Sequence, residues 1–331
     1  MADALLEVEN LSICFDTGDA ALTAVDRISF SIQAAETVGL VGESGCGKSV
    51  TAHAIMRLLP QPMGRISTGT IKFNGRDLTR ASLSTMESIR GADIGMVFQE
   101  PMTALNPVQT IGKQIAEALI VHRRLTKQQA LKATLELLQR VGLSSPEIRA
   151  GEYPHQLSGG MRQRVVIAIA LACKPSLLIA DEPTTALDVT IQAQILSLIK
   201  SLQAAMKMAV LLITHDLGVI AQTCDRVLVM YAGKIVESGS VFEIFDQPAH
   251  PYTQGLLNSL LRLQTPAKSQ LPVIPGQAPR IQDFSAGCRF ENRCPHRLPE
   301  CAVSAPASEI ISPTHQVSCF AWREISVKKS N

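Results

Sequence analysis

An α/β fold built on a mostly parallel sheet is predicted by three observations. Short apolar runs recur as candidate buried strands: SLLIAD at 176–181, MAVLLIT at 208–214 and RVLVMYAG at 226–233. Helical patterns such as VTIQAQILSLIKSLQAAM lie between them, the alternation that gives parallel sheets their crossovers. Around GESGCGKS at 42–49, an apolar strand passes into a glycine-rich turn and then into a helical pattern.

The remaining elements follow in chain order. LLEVENLSICF and ISFSIQ at 28–33 alternate apolar and polar residues, as strands of a half-exposed antiparallel edge do. After the glycine turn, VTAHAIMRLLP has helical spacing and stops at Pro60. Between Gln99 and Leu157 the texture becomes helix-rich, with TKQQALKATLELLQRVGL as its clearest stretch, so a helical subdomain is expected at about 100–158. From about residue 245 prolines become frequent (Pro248, Pro251, Pro266, Pro272, Pro275, Pro279) and periodicity fades, which predicts a small loop-rich domain over 246–331 behind a main domain of 1–245. A length of 331 residues fits two domains.

Bulk properties narrow the class. The net charge of +2, from 31 basic and 29 acidic residues, argues against a nucleic-acid partner, whose footprint is a strongly basic face. The N-terminal MADALLEVEN has no basic region leading into an apolar run, so no secretory signal is expected there. The longest apolar stretch, VVIAIALAC at 165–173, falls well short of the roughly 18–20 residues of a membrane span. Cys14, Cys46, Cys173 and Cys224 are scattered singly, as reduced thiols are.

GESGCGKS matches G-x-x-x-x-G-K-[ST]. In such a loop the glycines let successive N–H groups curl around a phosphate, Lys48 supplies a cation to the β/γ oxygens, and the Ser49 hydroxyl is placed for Mg²⁺. The positive end of the following helix adds to the same anion site. Gly42, Glu43, Ser44, Gly45, Cys46, Gly47, Lys48, Ser49 and Val50 are therefore the expected nucleotide contacts. Asp181 and Glu182 close the run LLIA, where a parallel strand delivers carboxylates to the sheet edge. Neighbours on a strand face opposite ways, so Asp181 is assigned to the Mg²⁺ shell and Glu182 to an attacking water. LSGGMRQRV at 157–165 opens a helix at Ser158-Gly159-Gly160, a second anion-binding end that makes sense across a dimer, over nucleotide held by the partner.

With these motifs the chain resembles the ATP-binding subunits of ABC transporters over roughly residues 1–245. The set comprises the loop at 42–49, Gln99 in VFQEPM, LSGGM, LLIADEP, the TALD turn ending at Asp188, and His215 in ITHD. The resemblance implies ATP and Mg²⁺ as ligands and ATP hydrolysis as the activity. It gives Phe15 the adenine platform, Ser49, Gln99 and Asp181 the magnesium, Glu182 the general base, and His215 the γ-phosphate. Asp188, Ser158, Gly159, Gly160 and Gln163 are then expected at the dimer contact.

The last 45 residues hold Cys288, Cys294, Cys301 and Cys319, spaced C-x5-C-x6-C-x17-C. Disulfides conflict with a cytosolic ATPase, zinc knuckles are usually shorter, and spacing alone leaves zinc, an iron–sulfur cluster and unligated thiols open. HPYTQGLL at 250–257, the PG at 275–276 and the cysteine spacing resemble the C-terminal extension of the oligopeptide/dipeptide/nickel branch of ABC importers. That resemblance implies a [4Fe–4S] cluster on the four cysteines, with Arg289, Arg293 and Arg297 offsetting its charge and zinc as the alternative metal. It further implies an importer ATPase for di- or oligopeptides on the cytoplasmic face of the membrane. The partners implied are a second, homologous ATPase in a heterodimer, two transmembrane permease subunits and an external substrate-binding protein. Nickel-chelate or glutathione import, and a soluble ABC ATPase without transport, are the other readings.

Overall fold

The computed structural model describes residues 4–18, 20–185, 187–259 and 273–327. Pro266 and Pro272 of the proline-rich stretch lie outside the described residues. The chain forms two compact units, one of Met1–Leu6, Ile32–Thr37 and Phe73–Ile213, the other of Glu7–Ser31, Val38–Lys72 and Thr214–Asn331.

In the first unit the strands Ile94–Val97, Leu177–Asp181 and Ala209–Thr214 run parallel, Gly95 opposite Leu178 and Leu178 opposite Val210. Every residue in them is buried, as expected where both faces of a parallel sheet are covered. Helix Gly159–Leu171 packs on this sheet through the small residue Gly95. The expected helical segment is there: Ile111–Arg123, Lys127–Arg140 and Pro146–Gly151 pack on one another, and the first two also touch helix Gly159–Leu171. Thr126 starts the second of these with a capping box, its hydroxyl accepting the Gln129 N–H while the Gln129 side chain accepts the Thr126 N–H.

The second unit holds two sheets. In one, Ala21–Ile32, Leu6–Asp16 and Gly64–Phe73 are neighbours in that order. The alternation around ISFSIQ marks only the later half of Ala21–Ile32, because Arg27 adopts a left-handed backbone (φ 48°) that interrupts the pleat before it. In the other, Thr37–Val41 pairs in parallel with Arg226–Tyr231, which pairs antiparallel with Lys234–Ser240. The C-terminal segment continues the same sheet: Gln316–Val317 lies against Lys234–Ser240, and Glu309–Ile310 against Gln316–Val317. Otherwise that segment consists of short elements, chiefly helices Pro251–Asn258, Glu300–Val303 and Trp322–Val327. The helix after the glycine turn, Lys48–Ile55, ends before Pro60, where Arg57 turns left-handed (φ 53°). Among the described residues no helix is long and apolar enough to cross a membrane.

Candidate functional site

The fully buried strand Thr37–Val41 delivers the chain to Gly42, whose φ of 156° and position beneath the neighbouring strand leave no room for a side chain. A Cβ there would lie 2.0 Å from the Met230 carbonyl oxygen. Gly47, at φ 107°, starts helix Lys48–Ile55 and is likewise closed in, by Met230 and Val25. Between them Ser44 and Gly45 are exposed, Cys46 is buried, and Ser49 and Val50 are half-buried on the first turn of the helix. Lys48 is only 5% exposed. Its Nζ donates to the carbonyls of Gly42 (2.8 Å) and Glu43 (3.0 Å), which curl the loop around its own ammonium. Burial raises the Cys46 thiol above its ordinary value although the Lys48 charge opposes this, so the thiol stays neutral. This is a cradle of backbone donors at a helix start with a cation in its wall, the donor set that phosphate oxygens fit. Phe15, on strand Leu6–Asp16, is half-buried with its ring edge against Gly64.

In the first unit the strand Leu177–Asp181 ends with buried Asp181, and Glu182 leaves it with a left-handed backbone, φ 46°. Strand alternation therefore does not orient Glu182. Its N–H donates to the Ile213 carbonyl (2.9 Å), and its carboxylate accepts from Gln99 Nε2 (3.1 Å) and Thr185 Oγ1 (2.8 Å). A non-glycine residue held left-handed by surrounding bonds stores strain of the kind found at functional sites. The structure thus brings Gln99 and Glu182 together, and adds Thr185, whose part nothing in the spacing announced.

The LSGGM stretch also has defined geometry. Ser158 caps helix Gly159–Leu171 by accepting the Met161 N–H (3.4 Å). Gly160 allows close packing against helix Val189–Met206: a Cβ on it would meet Ile191 at 2.9 Å. Ser158 and Gly159 remain exposed, while Gln163 is buried and its Nε2 has no hydrogen-bond partner among the described residues. Asp188 is exposed and caps helix Val189–Met206 through the Ile191 N–H (2.9 Å). In the second unit, exposed His215 lies between strand Ala209–Thr214 and helix Leu217–Thr223, whose cap is Asp216.

The metal assignment of the C-terminal cysteines is corrected. Among the described residues no group of three or more His, Cys, Asp or Glu side chains converges to hold a metal ion, so neither the [4Fe–4S] cluster nor zinc on Cys288, Cys294, Cys301 and Cys319 stands. All four are free thiols, Cys301 on helix Glu300–Val303 and the other three in the loops, with the Cys288 N–H donating to the Cys301 carbonyl (2.8 Å). Burial drives Cys288 up to about 11 and Cys319 up to about 12, and repulsion from the other cysteines adds to it. Burial likewise raises Cys294, and Cys319 joins a small core with Ala249, Val317, Ala321 and Ile325. The interleaved arginines have carboxylate partners instead of a cluster. Arg289 reaches Asp26 (2.8 Å), Arg293 reaches Glu43 (2.6 Å) and Arg297 lies 3.5 Å from Glu291.

Comparison with known proteins adds independent findings. Residues 25–185 match the family model described as ABC transporter, and residues 236–301 match that of the oligopeptide/dipeptide transporter C-terminal region. The chain is 51% identical over 318 residues to the dipeptide transport ATP-binding protein DppD of Bacillus subtilis, covering 96% of this chain and 95% of that one. It is 49% identical over 324 residues to a probable peptide ABC transporter ATP-binding protein of Sinorhizobium fredii, covering 98% and 97%. Among solved structures, the dimeric ATP-binding cassette MJ0796 in a post-hydrolysis state with ADP and Pi aligns with a TM-score of 0.65 at 28% identity, covering 71% of this chain and 98% of that one. The cassette cbiO1 of Clostridium perfringens, part of the transporter complex cbiONQ, aligns with a TM-score of 0.64 at 28% identity, covering 74% and 92%.

Proposed function

The chain belongs to the family of ATP-binding subunits of ABC transporters, with the C-terminal region of the oligopeptide/dipeptide group, and from that premise we propose that it hydrolyses ATP to power peptide import. The observation that carries the catalytic part is Glu182: a carboxylate at the end of a buried strand, held left-handed, with Gln99 and Thr185 bonded to it.

In the mechanism, N–H groups of the loop from Ser44 to Val50 and the Lys48 ammonium take up the phosphate oxygens, Gly42 and Glu43 shape the loop beneath them, and Phe15 supports the base. Ser49, Gln99 and Asp181 would hold Mg²⁺ through a hydroxyl, an amide oxygen and a carboxylate, the hard oxygen donors that suit this ion. When bound, that ion neutralises charge between the β- and γ-phosphates. Glu182 accepts a proton from water as its oxygen bonds to the γ-phosphorus; the bond to the bridging β,γ-oxygen breaks, leaving ADP and phosphate. His215 contacts the γ-phosphate, and Asp188, Ser158, Gly159, Gly160 and Gln163 act across a dimer on nucleotide held by the partner.

The chain pairs with a second, homologous ATPase and works with two transmembrane permeases and an external binding protein, on the cytoplasmic face of the membrane. The transport descriptions of the relatives and the dimeric cassette among the solved structures support pairing and work within a membrane transporter. The division into a cassette over 1–245 and an extension over 246–331 is part of this proposal; the matched ranges, 25–185 and 236–301, follow the same order along the chain. The test is Glu182→Gln: ATP binding persists and turnover drops by about 10²–10⁴-fold, the usual contribution of a general base. Near-normal hydrolysis by this variant overturns the assignment.

A further inference from the structure

Glu43 occupies a position that the phosphate-loop pattern leaves free, yet its N–H, its carbonyl and both its carboxylate oxygens are bonded. Its carboxylate accepts both Arg293 nitrogens in a fork, Nη1 to Oε2 at 2.6 Å and Nη2 to Oε1 at 3.0 Å. Its N–H donates to the Tyr252 hydroxyl at 2.9 Å. Its carbonyl accepts from Lys48 Nζ at 3.0 Å. The Glu43 N–H and the Gly42 carbonyl belong to one peptide unit, so Tyr252 and Lys48 hold opposite ends of a single plane.

Both C-terminal partners are themselves fixed. Arg293 is buried, with Nε donating to the Pro275 carbonyl (2.8 Å) and Nη1 near the Tyr231 hydroxyl (3.3 Å). Tyr252 is fully buried; its ring lies 4.6 Å from that of Tyr231 and 5.4 Å from that of Phe290. A paired, bidentate guanidinium has little freedom to find another partner.

We propose that Arg293 and Tyr252 are positioning residues for the phosphate loop, so that the C-terminal region sets how tightly the loop binds the phosphates of a nucleotide. This rests on the reading of residues 42–50 as the ATP site. An ammonium that turns to phosphate oxygens gives up part of its hold on the Gly42 and Glu43 carbonyls. From then on the peptide plane keeps its orientation through Tyr252 and Arg293, which pre-form the cradle before nucleotide arrives.

The experiment measures MgATP kinetics of the full chain in its transporter, together with equilibrium MgATP binding, for Glu43→Gln, Arg293→Met, Arg293→Lys and Tyr252→Phe. Loss of a charge-assisted bond predicts a rise in KM and Kd of about tenfold for Arg293→Met and for Glu43→Gln, with kcat within about twofold. Because one acts through the other, the double variant is no weaker than the weaker single one. Arg293→Lys recovers part of the affinity, and Tyr252→Phe, which loses one hydroxyl, raises KM about threefold. Unchanged KM and Kd in a folded Arg293→Met, or losses that multiply in the double variant, overturn the inference. Should Arg293→Met not fold, unchanged KM in both Arg293→Lys and Tyr252→Phe overturns it as well. Hydrolysis that survives Lys48→Ala refutes the ATP-site reading itself, whereas hydrolysis that needs Lys48 but ignores Arg293 refutes only the positioning role.

Discussion

His250 caps helix Pro251–Asn258 by accepting the Tyr252 N–H on Nδ1 at 3.0 Å, a role that requires that nitrogen to be unprotonated. It is 1% exposed. Burial lowers its pKa from 6.5 to about 4, against the opposing charge of Glu237, whose carboxylate accepts the Ala249 and His250 N–H groups and contacts His315 Nε2. The unfolded chain therefore binds a proton between pH 6.5 and 4 that the folded chain does not. The contribution of His250 to stability is complete above its ordinary value and is lost as pH falls towards about 4. Denaturant titrations across this range are expected to show a steeper fall for the native chain than for His250→Asn, which keeps a capping acceptor without the titration. Equal slopes overturn the assignment. At the same scale, the roles proposed for Lys48, Ser49 and Glu182 can be read from the sequence because their types are dictated by chemistry at fixed spacing. Those of Thr185, Tyr252 and Arg293 cannot, because hydroxyls and guanidinium groups are common and only a folded neighbour gives them a task.

Helices and strands divide by how much of their geometry is local. Helix Lys127–Arg140 announces itself through its own periodicity and the Thr126 capping box. Strand Ile94–Val97 is different: Gly95 presses so close to helix Gly159–Leu171 that a Cβ on it would lie 2.3 Å from the Ala170 carbonyl oxygen. Gly95→Ala must push backbone apart and is expected to cost about 2–3 kcal/mol. Thr126→Ala, which removes only a cap, costs about 1 kcal/mol. Denaturant unfolding separates the two, and a Gly95→Ala variant as mild as the cap mutant contradicts the close packing. The C-terminal strands Glu309–Ile310 and Gln316–Val317 are two residues each, too short to carry any alternation; the second exists because Lys234–Ser240 offers it an edge, and the first because the second does.

For the whole molecule, the proposed composite site gives the exposed Ser158-Gly159 edge, at the capped start of its helix, the task of meeting nucleotide brought by another cassette. With hydrolysis blocked by Glu182→Gln and ATP present, the chain and its partner ATPase are expected to sediment as a pair and to separate on exchange to ADP. Persistently unpaired chains under ATP contradict the composite site. The sequence by itself determined the α/β core, the phosphate loop and the order of the catalytic motifs, since each depends on residues a few positions apart. The shared metal that the family resemblance implied for Cys288, Cys294, Cys301 and Cys319 does not form among the described residues: all four are free thiols, Cys301 and Cys319 buried, Cys288 and Cys294 half-buried. Only the tertiary structure decided what Glu182 bonds to and where the C-terminal arginines go. Arg293 and Glu43 stand 250 positions apart, and no local pattern specifies a bond that exists only once the sheet has brought the two segments together.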